Sequence, residues 1–307
     1  MKRAYLVLSL LVSAAAHAAA GDAWDYAKGV LPADANFVVG ADFDALRKTS
    51  VFTALYPTFL ARSGAKPYLE EVKTACGLDL KDEIQGVVVA WSDKLEDGAV
   101  FLAGPRLEAK EVVDCREKLT ALRSADKKKK KVTASAPGAQ GLIEVTVEGE
   151  KDKLYFAFPR KGLMVIGFNP TEKPTLARWI GGKGLPADGE VSRSLAKIST
   201  AAPVWGAMGA FQKPLGDPDS RVKAGAGQAI RQGEGVKVDL KITMATPKEA
   251  QTALDKAKKE LADAKKQGPP PEVVRAMDSA KLTVTGSDLQ ATFSISDADL
   301  ISLVKQM

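Results

Sequence analysis

The chain has 307 residues, of which 45% are hydrophobic and 27% are charged, and its formal net charge is +6. These values are typical of a globular protein and exclude a disordered chain of low hydrophobicity. The excess of positive charge is small, so it favours solubility and weak attraction to anionic surfaces and does not by itself predict nucleic-acid binding.

Residues 1–20 have the pattern of a secretory signal peptide. A positively charged start is followed by the apolar run Tyr5–Val12 and by an alanine-rich end that allows cleavage after Ala18 or Ala20. The apolar run is shorter than the roughly 20 residues that a membrane span needs. No cysteine follows it to carry a lipid. We therefore expect an exported protein, periplasmic or secreted, with no transmembrane span after signal cleavage.

Histidine occurs once, at position 17, within the predicted signal peptide. A mature chain without histidine excludes Ser-His-Asp and Cys-His catalysis and His-ligated zinc or iron. Cys76 and Cys115 are the only cysteines, too few for a thiolate zinc site. The sequence therefore predicts no metal site, no cofactor and no catalytic residues, and an enzyme would depend on carboxylates, lysine, tyrosine or a bound cofactor.

Ile84–Gly104 predicts a β-hairpin. Its two apolar runs, Gly86–Trp91 and Ala99–Ala103, flank a segment of turn residues, Asp93–Gly98. Helical patterns lie on both sides of this hairpin. We predict an α+β fold of two ferredoxin-like units, each with a sheet rich in antiparallel strands and with helices on one face.

The polar segment 185–202 is the predicted linker between two domains. A first α+β unit would cover residues 21–184, and a second, smaller one residues 203–307. The order of elements recurs after the linker, since Pro203–Phe211 is similar to Asn36–Phe43 as an opening strand. This recurrence suggests a duplication.

An apolar helical stripe follows the first predicted strand, at positions i, i+3, i+4, i+7 and i+8. Its members are Phe52, Leu55, Tyr56, Phe59 and Leu60. The stripe is either one wall of a groove for a hydrophobic ligand or the core face of a helix that packs on the sheet. Pro57 is expected to kink this helix.

Five consecutive lysines form the most basic segment: Lys127, Lys128, Lys129, Lys130 and Lys131. They are either a tether to an anionic lipid or polysaccharide surface or a solvated loop before a strand. No aromatic residues alternate with the lysines, so base stacking and nucleic-acid binding are not expected.

Cys76 and Cys115 both fall on the apolar faces of predicted helices. Cys76 continues the spacing of Leu69 and Val72, and Cys115 that of Val112. In an exported chain the two cysteines either form a disulfide or remain two separate buried thiols.

Asp42 and Asp44 are separated by one residue at the end of the first predicted strand. They are either ligands of a cation or helix-capping groups, with Asp44 as the expected cap.

Several of these segments together resemble a known class of proteins. Leu31–Arg47, LPADANFVVGADFDALR, precedes Cys76-Gly-Leu-Asp79 and Val87–Trp91. This order resembles exported bacterial proteins of unknown function, which open with a P-A-D-A strand entry, a D-φ-x-x-L helix start and a later [TC]-G-φ-D motif. Many of those proteins look like lipoproteins, whereas this chain lacks the lipid-carrying cysteine. The resemblance implies no catalytic residue.

The favoured prediction is a non-catalytic envelope protein that binds or scaffolds. Its expected partner is an envelope protein or an anionic lipid or polysaccharide surface, and its oligomeric state stays open. One alternative is a carrier of an apolar or anionic small molecule with the Phe52–Leu60 stripe as one wall. The other is a histidine-free hydrolase or lyase that uses carboxylates.

Overall fold

The computed structural model describes residues 19–93, 97–123, 131–210 and 222–306. Four predicted segments fall wholly or partly outside these ranges. They are the signal peptide up to residue 18, the centre of the hairpin turn at 94–96, the lysines Lys127–Lys130, and the end of the opening strand at Phe211.

Within the described residues, helices occur together with an antiparallel sheet, which confirms the α+β class. The helices are α1 Ala19–Val30, α2 Phe43–Arg47, α3 Ser50–Ser63, α4 Lys66–Cys76, α5 Leu80–Glu83, α6 Ala109–Arg123, α7 Lys173–Ile180, α8 Glu190–Leu195, α9 Pro247–Lys266, α10 Pro271–Asp278 and α11 Asp297–Gln306. The strands are β1 Phe37–Asp42, β2 Gly86–Trp91, β3 Gly98–Ala103, β4 Val132–Ala134, β5 Leu142–Val147, β6 Leu154–Arg160, β7 Leu163–Gly167, β8 Val204–Met208, β9 Val222–Arg231, β10 Gly235–Met244, β11 Lys281–Thr285 and β12 Asp288–Ser296.

Local capping sets several helix ends. The side chain of Thr246 accepts a hydrogen bond from the backbone N–H of Glu249 at 3.2 Å, which caps the start of α9. Gly77 ends α4 in the left-handed conformation, with φ 65°. At α2 the expected cap was wrong by two residues: Asp42 accepts from Ala45 N–H at 2.9 Å, while Asp44 pairs with Arg47.

The described residues form two compact units that are not continuous in sequence. Unit 1 contains residues 36–58 and 186–306, and unit 2 contains residues 19–35 and 59–185. This differs from the predicted division at 185–202, which kept 21–184 together. The physical reason is the pairing of β1 with β8, in which Val38 faces Ala207, because this pairing ties residues 36–58 to the C-terminal half. The suggested duplication stays a prediction.

Unit 1 contains six strands in the order β11-β12-β10-β9-β8-β1, all antiparallel. One face carries a core cluster that includes Ala41, Val204 and Val236, against which Phe43 and Phe52 pack. On the opposite face the fully buried Trp205 lies across Gly40.

Unit 2 contains six strands in the order β2-β3-β7-β6-β5-β4, again antiparallel. Its β2–β3 hairpin is the one that the sequence predicts, with Gly86 facing Ala103 and Trp91 facing Gly98. Helix α1 covers one face of this sheet, where the Tyr26 ring lies 6.3 Å from that of Phe101.

Candidate functional site

The strands β2, β3 and β7 of unit 2 carry apolar side chains on both faces of the sheet. The inward residues, which include Val88, Phe101 and Val165, are fully buried. The outward residues are also apolar. Met164, opposite Leu102, is buried, whereas the others are half-buried or exposed. They are Val87, Val89, Trp91, Val100, Leu102, Ile166 and, just after β7, Phe168. We call these seven residues the outer apolar face.

The members of the outer apolar face are neighbours across the strands. Val89 lies opposite Val100, which in turn lies opposite Ile166. At the end of β2 the ring of Trp91 is 6.3 Å from that of Phe168. The seven side chains therefore form one continuous apolar surface across three strands.

Such a surface is unusual on a side of an antiparallel sheet that is only partly covered. Antiparallel sheets with one solvated side alternate between apolar and polar side chains, and only sheets covered on both sides carry apolar residues on both. A contiguous apolar patch on a soluble protein commonly marks a site of ligand or partner binding. The composition of the outer apolar face thus suits contact with an apolar molecule.

The predicted stripe on α3 begins with a residue that packs against the core of unit 1 and includes one that is exposed. Phe52 packs against the unit 1 core, and its ring lies 6.3 Å from Phe43 and 5.0 Å from Tyr56. Leu55, Tyr56 and Leu60 are half-buried, whereas Phe59 is 37% exposed. Phe52 thus belongs to the core of unit 1, and use of the stripe as the wall of a ligand groove stays a prediction. The α3 helix continues through Pro57.

Of the five lysines, Lys131 is the one that the structure describes. It is exposed, and its backbone N–H donates to Glu148 Oε2 at 3.2 Å. Binding of an anionic surface by this run stays a prediction.

Cys76 and Cys115 form a disulfide between α4 and α6. The bond lies in a buried cluster with Val72, Leu78 and Leu119. Of the two interpretations of the cysteine positions, the bonded one is confirmed. A disulfide is typical of proteins in oxidising compartments outside the cytosol.

Most of the carboxyl groups with a shifted pKa are held ionised by partners. At Asp288 burial raises the pKa, but Lys197 Nζ at 2.6 Å and Thr243 Oγ1 at 2.7 Å outweigh it, so the pKa falls below its ordinary value. The pKa of Asp239 is lowered in the same way by Lys237 and by neighbouring polar groups. A general acid needs the opposite shift, so the geometry of these groups is that of structural ion pairs.

Asp42 is the carboxyl group whose pKa is raised, because it is buried. Its side chain caps α2, and Asp44 pairs with Arg47, so both groups already have protein partners.

Within residues 19–93, 97–123, 131–210 and 222–306, no three His, Cys, Asp or Glu side chains come together as a metal-binding group. In the same ranges, none of the helices combines the length and apolar character required to cross a bilayer.

Asp297, at the start of α11, is the most buried of the ion-paired carboxylates whose pKa is lowered. It accepts a hydrogen bond from Ser50 Oγ at 2.6 Å and pairs with Arg231, and its side chain is 10% exposed. Burial raises its pKa, but Arg231 and Ser50 lower it to a net value below that of a free carboxyl group. Asp297 therefore links α3, β9 and α11 within unit 1.

We expect Asp297→Asn to lower the free energy of unfolding by about 3 kcal/mol at neutral pH, because Arg231 would lose the partner of its buried charge. A lowered folded-state pKa gives stability that is complete above the unfolded pKa and is lost as the pH falls through the folded value. The difference between wild type and variant should therefore shrink as the pH falls below about 4, the ordinary pKa of aspartate. Urea unfolding at several pH values measures it.

The control for this prediction is Asp114→Asn, which breaks the Lys110–Asp114 pair on α6, where the two side chains are 85% and 46% exposed. It should cost less than about 1 kcal/mol. Equal losses in the two variants would contradict a structural role for Asp297.

Comparison with known proteins gives no family. No family model matches the chain, and no curated protein shows significant similarity to it. Solved structures of TP0453 in crystal forms III and IV align with 91% and 92% of this chain and with 98% and 99% of theirs. Both have a TM-score of 0.47, with sequence identities of 12% and 13%. Similarity at this level transfers neither a fold nor a function to this chain.

Proposed function

We propose that this protein is a non-catalytic exported binding protein that holds an apolar small molecule on the outer apolar face of unit 2. The observation that carries the proposal is the second apolar side of β2, β3 and β7, whose side chains, apart from the buried Met164, are only partly buried in the folded chain. Export is supported by the signal-like N-terminus and by the Cys76–Cys115 disulfide.

The chemistry of the outer apolar face favours an alkyl chain or another uncharged group. None of its seven residues offers a charged side chain, and Trp91 and Phe168 add aromatic area at one end. Covering this surface removes apolar area from water at about 25 cal/mol per Å². Binding would depend on area and shape, with little dependence on salt.

The first test is binding of dansylaminoundecanoic acid, an alkyl probe that fluoresces in apolar surroundings. We expect Val89→Lys combined with Val100→Glu to weaken binding about tenfold or more, since charges would replace apolar area. The two residues face each other, so the new side chains can pair across the strands and keep the sheet folded.

A matched control introduces the same pair of charges elsewhere in unit 2. Thr133, which is exposed, and Thr146, which is half-buried, also face each other on β4 and β5. Thr133→Lys with Thr146→Glu should bind the probe as wild type does. Equal losses in the two double variants would contradict the proposed site.

Trp91 gives an independent readout of the position of the probe. We expect energy transfer from tryptophan to the bound dansyl group to fall in Trp91→Phe, while the binding curve followed by dansyl fluorescence changes little. Unchanged energy transfer would place the probe away from the outer apolar face.

A further inference from the structure

Strand β11 forms the edge of the unit 1 sheet. It pairs with β12 on one side, and none of the described strands lies on its other side. A two-residue turn joins the two strands, since Thr285 faces Asp288. The first residue of this turn, Gly286, has φ 59°, as a hairpin turn of this kind requires. Residues that flank such a turn bond to each other through the backbone, so Thr285 points its N–H and C=O groups at β12.

The direction of the backbone groups alternates along β11. Lys281 and Thr283 therefore also bond to β12, whereas Leu282 and Val284 point their N–H and C=O groups away from it. These outward groups of Leu282 and Val284 make no hydrogen bond to another described residue. The outer edge of β11 thus presents two donors and two acceptors in a row.

The sheet protects the neighbouring edge but not this one. Where β12 extends beyond β11, Ser279 Oγ accepts from Ser294 N–H at 2.9 Å and donates to Ser294 O at 3.0 Å. Edge strands are commonly shielded by proline, by a bulge or by inward charges. β11 has no proline and no break in its register, and its one charged residue is Lys281 at its start. The edge is therefore suited to pairing with another strand.

A second copy of β11, placed antiparallel on this edge, pairs all four outward groups. With Thr283 on a two-fold axis, Leu282 lies opposite Val284 of the second copy, and these two residues exchange both backbone hydrogen bonds. The axis repeats the exchange on its other side, so four bonds form between the copies. This fit arises because the two outward residues lie symmetrically about Thr283.

The side chains of β11 also match those of a second copy. On one face, the half-buried Leu282 and Val284 meet as apolar pairs. On the other face, Thr283 meets its own copy and Lys281 meets Thr285, so no like charges lie opposite each other. An unrelated extended peptide would provide the hydrogen bonds alone, whereas a second copy provides both the bonds and the matched side chains.

We propose that this protein forms a dimer through β11, in which the unit 1 sheets of two copies join edge to edge about a two-fold axis at Thr283. The contact involves five residues of each copy, far fewer than the roughly 20–30 residues a side of a standard interface. The dimer is therefore a weak one that forms at high protein concentration.

Sedimentation velocity of the mature chain between about 10 µM and 1 mM tests the proposal. Wild type should change from monomer to dimer across this range. Thr283 is exposed, so charged replacements should not disturb the monomer. Thr283→Lys and Thr283→Glu should each weaken association about tenfold or more, because like charges would meet at the axis. An equimolar mixture of the two variants should associate at least as well as wild type, since opposite charges then meet.

The control places the same charge on another exposed threonine. Thr133→Lys on β4 of unit 2 should change the dissociation constant by less than about twofold at physiological salt. An equal loss in this control would overturn the proposal, since it would show a general charge effect. Wild type that stays monomeric throughout the range would also overturn it, as would a mixture of the Thr283 variants that associates no better than either alone.

Hydrogen exchange followed by NMR locates the contact in the dimer. At high protein concentration the amide protons of Leu282 and Val284 should exchange several-fold more slowly than at low concentration. The amide proton of Thr283, which already bonds to β12, should change little. Protection that appears on another surface, with none at Leu282 and Val284, would overturn the proposal.

Discussion

Replacing Cys76 and Cys115 together with alanine is expected to lower the free energy of unfolding by about 4 kcal/mol. The disulfide closes a loop over a sequence separation of 39 residues, and the chain-entropy model assigns about that value to the loss of such a constraint on the unfolded chain. Both cysteines are also 8% exposed within a cluster of apolar side chains, so the change removes some packing. Guanidinium unfolding with and without reductant measures the effect.

Reduction of the wild-type chain is the control that keeps every other atom in place. Wild type in reductant should approach the stability of the double alanine variant, and reductant should not affect that variant. A loss below about 1 kcal/mol on reduction would show that the α4–α6 pair is held by its packing and not by the covalent bond.

Gly40→Ala is expected to destabilise unit 1 by about 3 kcal/mol, the upper part of the range for overpacked cores. A Cβ at this position would fall within the indole of Trp205, with its Nε1 2.6 Å away. Trp205 is fully buried and lies opposite Gly40 in the β1–β8 pairing. Either the ring or the strand has to move. Thermal unfolding followed by circular dichroism measures the change.

The matched control is Gly29→Ala in α1, where an added Cβ meets no atom within 4 Å. In a helix this replacement should be neutral or stabilising by up to about 1 kcal/mol. Combining Gly40→Ala with Trp205→Phe should be less costly than the sum of the two single changes, since a smaller ring leaves room for the methyl group. Additive losses would contradict a direct clash.

The hairpin was predictable from the sequence because it is local. Gly86–Trp91 and Ala99–Ala103 are apolar runs joined by turn residues, and the structure pairs them in register.

The position of β1 in the sheet was not predictable in this way. Its partner β8 begins at Val204, more than 160 residues later, and neither strand carries a pattern that selects the other. Helical spacing placed Cys76 and Cys115 on apolar faces, which left two interpretations, a disulfide or two separate buried thiols. Spacing does not give the distance between two helices, so the sequence did not decide between them.

The candidate site was largely missed from the sequence. The stripe on α3 has regular spacing, so it was interpreted as one surface, whereas the fold packs Phe52 against the core of unit 1 and exposes Phe59. The outer apolar face did leave a signal, since Val87, Val89 and Leu102 occupy positions where a solvated strand carries polar groups. That signal is also the pattern of a strand covered on both sides, and the sequence does not reveal whether a second layer is present.

The most direct test of the central claim is photo-crosslinking of the mature protein with a diazirine-bearing fatty acid, followed by mass-spectrometric mapping of the labelled residues. The proposed site predicts label on the strands that carry the outer apolar face, at Val87–Trp91, at Val100 and Leu102, and at Ile166 and Phe168. Excess unlabelled fatty acid should compete with it. Label confined to residues 50–63, or spread evenly over the surface without competition, would contradict the proposed binding site.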